Sequence, residues 1–268
     1  MKTRAITALF FTLVMLGSFF LVADVFRVFY LLLSLAGLYE FYKLVNTAGI
    51  KPNKLLGLLT GFFAFGYMAA FSFFPFDTKY LLLAVPVAFL VFILELYRKE
   101  KNPFTNIGYT FLGLVFVVVP FAFFYRLGFL VNLDFNYHVP LSFMLMLWAS
   151  DTGAYLFGRK LGKTKLFERH SPKKTWEGFG GGIFMSVLVA VIVSFLFKEI
   201  ALPVWVGMAV IIVSLGTLGD LVESMLKRSL DVKDSGTLLP GHGGLLDRFD
   251  GLLIAAPMVY VYLYLLLK

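Results

Sequence analysis

Apolar residues run through this chain in blocks of about twenty, each closed by a short polar stretch. That is the length a helix needs to cross a hydrocarbon layer at about 1.5 Å per residue. Nine such blocks lie near 6–23, 25–46, 55–75, 79–97, 108–127, 138–158, 177–198, 203–226 and 249–267. The first two are divided only by Ala23-Asp24 and form a tight helical hairpin. Met1–Val22 has the outline of a signal peptide, with Lys2 and Arg4 ahead of an apolar run, but no A-x-A-like cleavage site follows it. It is expected to remain as the first span. The pattern predicts an all-α fold, a polytopic membrane bundle of about nine transmembrane helices. The chain is taken as a single integral membrane domain over 1–268, in which about 136–268 carries the more specific sequence.

Composition agrees with the pattern. Of the 268 residues 60% are hydrophobic and 15% charged, against about 45–50% and about 25% in soluble domains. A water-exposed surface could not hold 32 Phe and 13 Tyr, so a soluble globular domain is excluded. The absence of cysteine rules out disulfides and, with only His138, His170 and His242 available, argues against a zinc site. Lys and Arg exceed Asp and Glu by 24 to 16, a balance suited to anionic headgroups or phosphorylated substrates. The same cations set the orientation, because Lys and Arg are retained in cytoplasmic loops. With nine spans and a cytoplasmic N-terminus, only Arg27, Lys79, Arg126, Lys198 and Lys268 fall outside, leaving 19 of the 24 within. Both long polar segments, 159–176 and 227–248, then emerge in the cytoplasm.

Ionisable groups inside spans are costly and are functional candidates by default. Glu40 lies in the second span, Asp151 in the sixth, and Asp220 and Glu223 in the eighth. Asp151 is roughly 12 Å below Arg159 and Asp220 roughly 10 Å below Lys227 along their helices, so the two carboxylates reach similar depth. Glu223, Ser224 and Lys227 fall on the same face of the helix as Asp220. For Glu40 two readings stand level, an interhelical packing bond and a functional group.

The segment 227–250 holds Lys227-Arg228, Lys233-Asp234, Gly236, Pro240, His242-Gly243-Gly244 and Asp247-Arg248-Phe249-Asp250. Lysine and arginine neutralise polyphosphate, glycine lets backbone N–H groups approach phosphate oxygens, and hard carboxylate oxygens suit Mg²⁺. Asp247 and Asp250 are spaced to share a face at the start of the last span. Gly158 to Thr164 imitates a P-loop but has three intervening residues where four are needed and follows no strand. Close helix packing explains Gly158, Gly162 and the Gly180–Gly182 run better. In the 159–176 loop, Ser171, Lys173, Lys174 and Thr175 are candidates for phosphate contact. Lys163 and Lys165 are taken as anchors to anionic lipid.

The run Ser224-Met-Leu-Lys-Arg-Ser-Leu-Asp-Val-Lys-Asp-Ser-Gly-Thr-Leu-Leu-Pro-Gly-His-Gly-Gly-Leu-Leu-Asp-Arg-Phe-Asp250 resembles the signature of phosphatidate cytidylyltransferases, also called CDP-diacylglycerol synthases. Asp151-Thr-Gly-Ala-Tyr155 and Ser171-Pro-Lys-Lys-Thr-Trp-Glu-Gly178 resemble the family's preceding segments, so the likeness covers about the C-terminal half. It implies transfer of a cytidylyl group from CTP to phosphatidate with release of pyrophosphate, dependent on a divalent cation, usually Mg²⁺. The expected metal ligands are Asp220 and Asp247, adjusted by Asp250 and Glu223. Lys227, Arg228, Lys233 and Arg248 are expected on phosphates, with Asp234 and His242 in the same catalytic group. Asp151, Ser171, Lys173, Lys174, Thr175, Ser224, Gly243 and Gly244 are expected to bind substrate, Asp151 by completing the site or positioning Lys173. The expectation is a bacterial inner-membrane enzyme with a cytoplasmic active site and no nucleic-acid partner, and the resemblance implies a homodimer. A secondary transporter with buried carboxylates, or another CTP-dependent lipid transferase or kinase, are the alternatives.

Overall fold

In the computed structural model, which describes residues 2–70, 84–131, 134–236 and 243–268, a helix stands at each of the nine predicted blocks. These are α1 (Lys2–Phe19), α2 (Ala23–Asn46), α3 (Lys54–Ala70), α4 (Ala84–Glu95), α5 and α6 (Pro103–Gly113 and Val119–Leu127), α7 (His138–Leu161), α8 (Trp176–Leu196), α9 (Leu202–Ser229) and α10 (Asp250–Leu267). The expected end of the third block and start of the fourth lie outside the described residues. A π-turn at Leu114–Val118 joins α5 to α6 in one helical stretch. It sits just before Pro120, whose ring nitrogen has no hydrogen to give the preceding turn. Among the described residues, Ala23–Asn46, Pro103–Leu127, Trp176–Leu196, Leu202–Ser229 and Asp250–Leu267 are long and apolar enough to cross a membrane. The protein is thus a predominantly helical integral membrane protein. Although α7 has 24 residues, Ser142, Ser150, Asp151 and Thr152 make it more polar than those five.

The described chain parts into two compact units, Met1–Arg126 with Leu230–Arg248, and Leu127–Ser229 with Phe249–Lys268. The first is built on aromatic packing. Phe26 and Tyr30 of α2 have ring centroids 4.5 Å apart, and Tyr30 lies 4.9 Å from Phe124 of α6; all three are buried. Tyr42 lies against Gly57, where an added Cβ would come 2.6 Å from the ring. Its hydroxyl donates to the Thr110 carbonyl at 2.7 Å, so a large aromatic is buried without stranding its polar end. Near the turns, buried Glu95 accepts from Asn106 at 2.7 Å and pairs with Arg98 at 2.8 Å.

In the second unit Gly158, Gly162, Gly181 and Gly182 serve packing as predicted, whereas Gly180 has nothing within 4 Å of an added Cβ. A Cβ on Gly178 of α8 would stand 2.8 Å from the Ala154 carbonyl of α7, and one on Gly182 3.2 Å from that of Ser150. Backbones approach this closely only where side chains are missing. Between α7 and α8 the polar loop is not irregular throughout. Strands β1 (Lys165–Phe167) and β2 (Ser171–Thr175) pair antiparallel, with Lys165 opposite Thr175 and Phe167 opposite Ser171. The chain then enters α8 through Thr175, whose hydroxyl accepts the Gly178 N–H at 3.1 Å as an N-cap.

Candidate active site

The eighth block, now α9, carries its polar residues as the sequence spacing requires. Ser224 Oγ donates to Asp220 Oδ1 at 3.2 Å, and Lys227 Nζ pairs with Glu223 Oε2 at 2.5 Å. Both are contacts between residues four apart, one turn along the same helix. Asp250 joins them from the start of α10. Gly219 makes this possible, since a Cβ there would lie 2.6 Å from the Asp250 carbonyl. Gly216 and Gly251 are likewise in close approach. As a result Asp220, Glu223 and Asp250 each present an oxygen within 4.8 Å of one another. Ligand oxygens on opposite sides of Mg²⁺ are about 4.2 Å apart, and about 4.8 Å for Ca²⁺. Hard anionic oxygens in this grouping fit a hard divalent cation.

A cation also reaches this group from the hairpin. Side chains alternate along a strand, and β2 leaves Lys173 exposed while Lys174 is half-buried. Lys174 Nζ lies 2.5 Å from Asp220 Oδ2 and 3.5 Å from the Thr217 carbonyl. Three carboxyl groups therefore face two ammonium groups. Asp151 on α7 interacts electrostatically with Lys174, Asp220 and Asp250. Its lysine neighbour is thus Lys174, where the sequence had suggested Lys173.

The signature loop belongs to the other unit. Asp247 Oδ2 accepts the backbone N–H groups of Ser235 at 3.0 Å and Gly244 at 2.8 Å. Gly243 is in the left-handed region at φ 83°, and a Cβ there would meet Asp247 Oδ2 at 2.7 Å. Lys233, Asp234 and Arg248 are exposed, as is Arg228 at the end of α9. Pro240 and His242 lie outside the described residues.

Comparison with known proteins sets this chemistry in a family. The family model described as the cytidylyltransferase family matches residues 2–266, nearly the whole chain. The protein belongs to the cytidylyltransferase family. Among its relatives is the phosphatidate cytidylyltransferase of Staphylococcus aureus (strain COL), 35% identical over 98% of this chain and 99% of the relative. Those of Staphylococcus haemolyticus (strain JCSC1435) and Staphylococcus epidermidis (strain ATCC 12228 / FDA PCI 1200) are each 34% identical over the same shares. The likeness thus extends through the N-terminal spans, where the sequence by itself showed only hydrophobicity.

For a cytidylyltransferase, two placements were beyond sequence reasoning. Thr175 spends its hydroxyl on the α8 N-cap, a role signalled by Thr-x-x-Gly at a span entry but equally compatible with phosphate contact. Glu177 accepts the N–H groups of Lys163 and Thr164, each at 3.1 Å, and so ties the start of the hairpin to α8. An acidic residue in a first turn is ordinary and gave no such signal. Ser171 is half-buried in β2.

Proposed function

We propose that this protein is a phosphatidate cytidylyltransferase that makes CDP-diacylglycerol from CTP and phosphatidate for phospholipid synthesis. The observation that carries the proposal is the gathering of Asp220, Glu223 and Asp250 beside Lys174 and Lys227. In the reaction a phosphatidate oxygen forms a bond to the α-phosphorus of CTP. The bond from that phosphorus to the bridging oxygen breaks, and pyrophosphate departs with the electron pair. The nucleophile is already an anion, so no general base is required. The demand is electrostatic, to bring two anions together and to stabilise charge gathering on the leaving group.

A bound Mg²⁺, held by Asp220, Glu223 and Asp250, would supply that stabilisation as a Lewis acid. Asp247 remains a proposed ligand on the chemistry of the motif. Lys174 and Lys227 keep the carboxylates oriented and supply positive charge for phosphate oxygens, while Arg228, Lys233 and Arg248 are assigned to the phosphates of the substrates. Asp234, His242 and the backbone of Gly243 are kept with the nucleotide. Nine spans, a cytoplasmic N-terminus and a site open to the cytoplasm of a bacterial inner membrane belong to the same proposal, supported by the charge distribution. A homodimer is included on the family resemblance alone.

The test uses purified protein in mixed micelles with CTP labelled on the α-phosphate and a panel of lipid phosphates. Labelled CDP-diacylglycerol should form with phosphatidate and vanish with chelator. Preferential labelling of an isoprenoid acceptor would move the assignment to another CTP-dependent lipid transferase.

A further inference from the structure

Glu40 is a span carboxylate to which the reaction above gives no role. It sits in α2 and is 4% exposed, yet it is saturated with donors from one distant segment. Its Oε1 accepts from the Ser235 hydroxyl at 2.6 Å and the Leu246 N–H at 2.9 Å, and its Oε2 from the Leu245 N–H at 2.8 Å. Asp247 accepts the N–H groups of Ser235 and Gly244. Two carboxylates therefore take five donors from the two ends of 235–246 and draw those ends together. All of these residues lie in one compact unit.

The glycines of the segment fit this arrangement. A Cβ on Gly236 would lie 2.8 Å from Glu40 Oε2, and one on Gly244 would collide with both Glu40 and the Ser235 hydroxyl. Gly244, expected from the sequence to let backbone approach phosphate, instead admits the Glu40 carboxylate. The negative charge matters as well. A carboxylate accepts at both oxygens, whereas the amide of glutamine would turn an N–H toward the Leu245 N–H.

We infer that Glu40 is a positioning residue, which from α2 holds the described ends of the signature loop together and so sets Asp247 and the neighbouring Lys233, Gly243 and Arg248 for the nucleotide. It touches no reacting atom. The inference rests on the function proposed above for what the loop binds, but the tie between the two ends is independent of that reading.

The experiment compares wild type, Glu40→Gln and Ser235→Ala as full-length purified protein. Hydrogen–deuterium exchange followed by mass spectrometry reads the backbone of 233–248 against the helices, and steady-state kinetics vary CTP and surface phosphatidate separately. In Glu40→Gln, exchange should rise in 233–248 while α8–α10 keep their protection. The CTP kcat/KM should fall about tenfold or more with the phosphatidate KM unchanged, a loss read as one of nucleotide and transition-state binding. Ser235→Ala, which removes a single donor, should change both readouts in the same direction by less. Unchanged exchange in both variants would overturn the inference. So would an equal loss for both substrates accompanied by faster exchange throughout the helices. If Glu40→Gln fails to fold, Ser235→Ala decides on the same two readouts. A wild-type protein that does not use CTP would remove the proposed function, while the exchange result would still decide whether Glu40 holds the two ends together.

Discussion

Asp220 and Glu223 are three residues apart and both meet a lysine, but their surroundings give them different consequences when altered. The Asp220 and Lys174 side chains are 32% and 27% exposed, so removing the carboxylate leaves an ammonium that the protein does not enclose. Such a loss costs less than that of a fully enclosed pair. Glu223 and Lys227 are 1% and 12% exposed, and breaking a buried pair costs about 3–5 kcal/mol because the remaining charge loses its compensation. Asp220→Asn should therefore abolish product formation and weaken Mn²⁺ binding measured by electron paramagnetic resonance, with thermal stability close to wild type. Glu223→Gln should lose activity and stability together. Asp247 offers a related contrast. An asparagine oxygen can keep both backbone N–H bonds of the loop, so Asp247→Asn should leave the exchange of 233–248 unchanged. Lost activity in that background would mark a duty beyond holding the loop, and full activity would remove Asp247 from the proposed ligands.

The crossing of α9 and α10 shows what glycine contributes to the site. A Cβ at Gly219 would press on the Asp250 carbonyl, which is backbone and cannot swing aside. Gly180 on α8 has nothing within 4 Å of an added Cβ. Gly219→Ala should thus move Asp250 away from Asp220 and raise the Mg²⁺ concentration needed for half-maximal activity severalfold, while Gly180→Ala should match wild type in the same titration. Equal responses would mean that this crossing does not set the carboxylate cluster. The helices were legible because hydrocarbon admits only a segment that satisfies its own backbone hydrogen bonds, and such a segment must be apolar for about twenty residues. The shared face of Asp220, Glu223 and Lys227 followed from helical periodicity. The hairpin was not legible, since strands of three and five residues in a polar loop leave no alternating apolar pattern. For the same reason nothing indicated that Lys174, rather than Lys173, would meet Asp220. Nor does any local pattern join Glu40 to Ser235 across 195 residues, because a long-range pairing is decided by packing.

At the scale of the whole chain, the path carries the argument for orientation. The chain leaves the second unit after Ser229, contributes Leu230–Arg248 to the first, and returns at Phe249. If each predicted block crosses once, the hairpin loop and the signature loop are separated by two crossings, α8 and α9, and must open on one side of the membrane. The turn between those two helices, which contains Lys198, must open on the other. On that path 19 of the 24 cations would collect with the N-terminus, and because positive loops are retained in the cytoplasm that side is the one proposed to face it. The cysteine-free sequence permits a direct measurement with single cysteines at Thr164, Asp234 and Lys198, all exposed positions. In intact cells a membrane-impermeant thiol reagent should label Lys198→Cys alone, and in inside-out vesicles it should label Thr164→Cys and Asp234→Cys. Labelling of the two loops from opposite faces would mean that α8 or α9 does not cross, and the carboxylates of α9 would then need a different path to CTP.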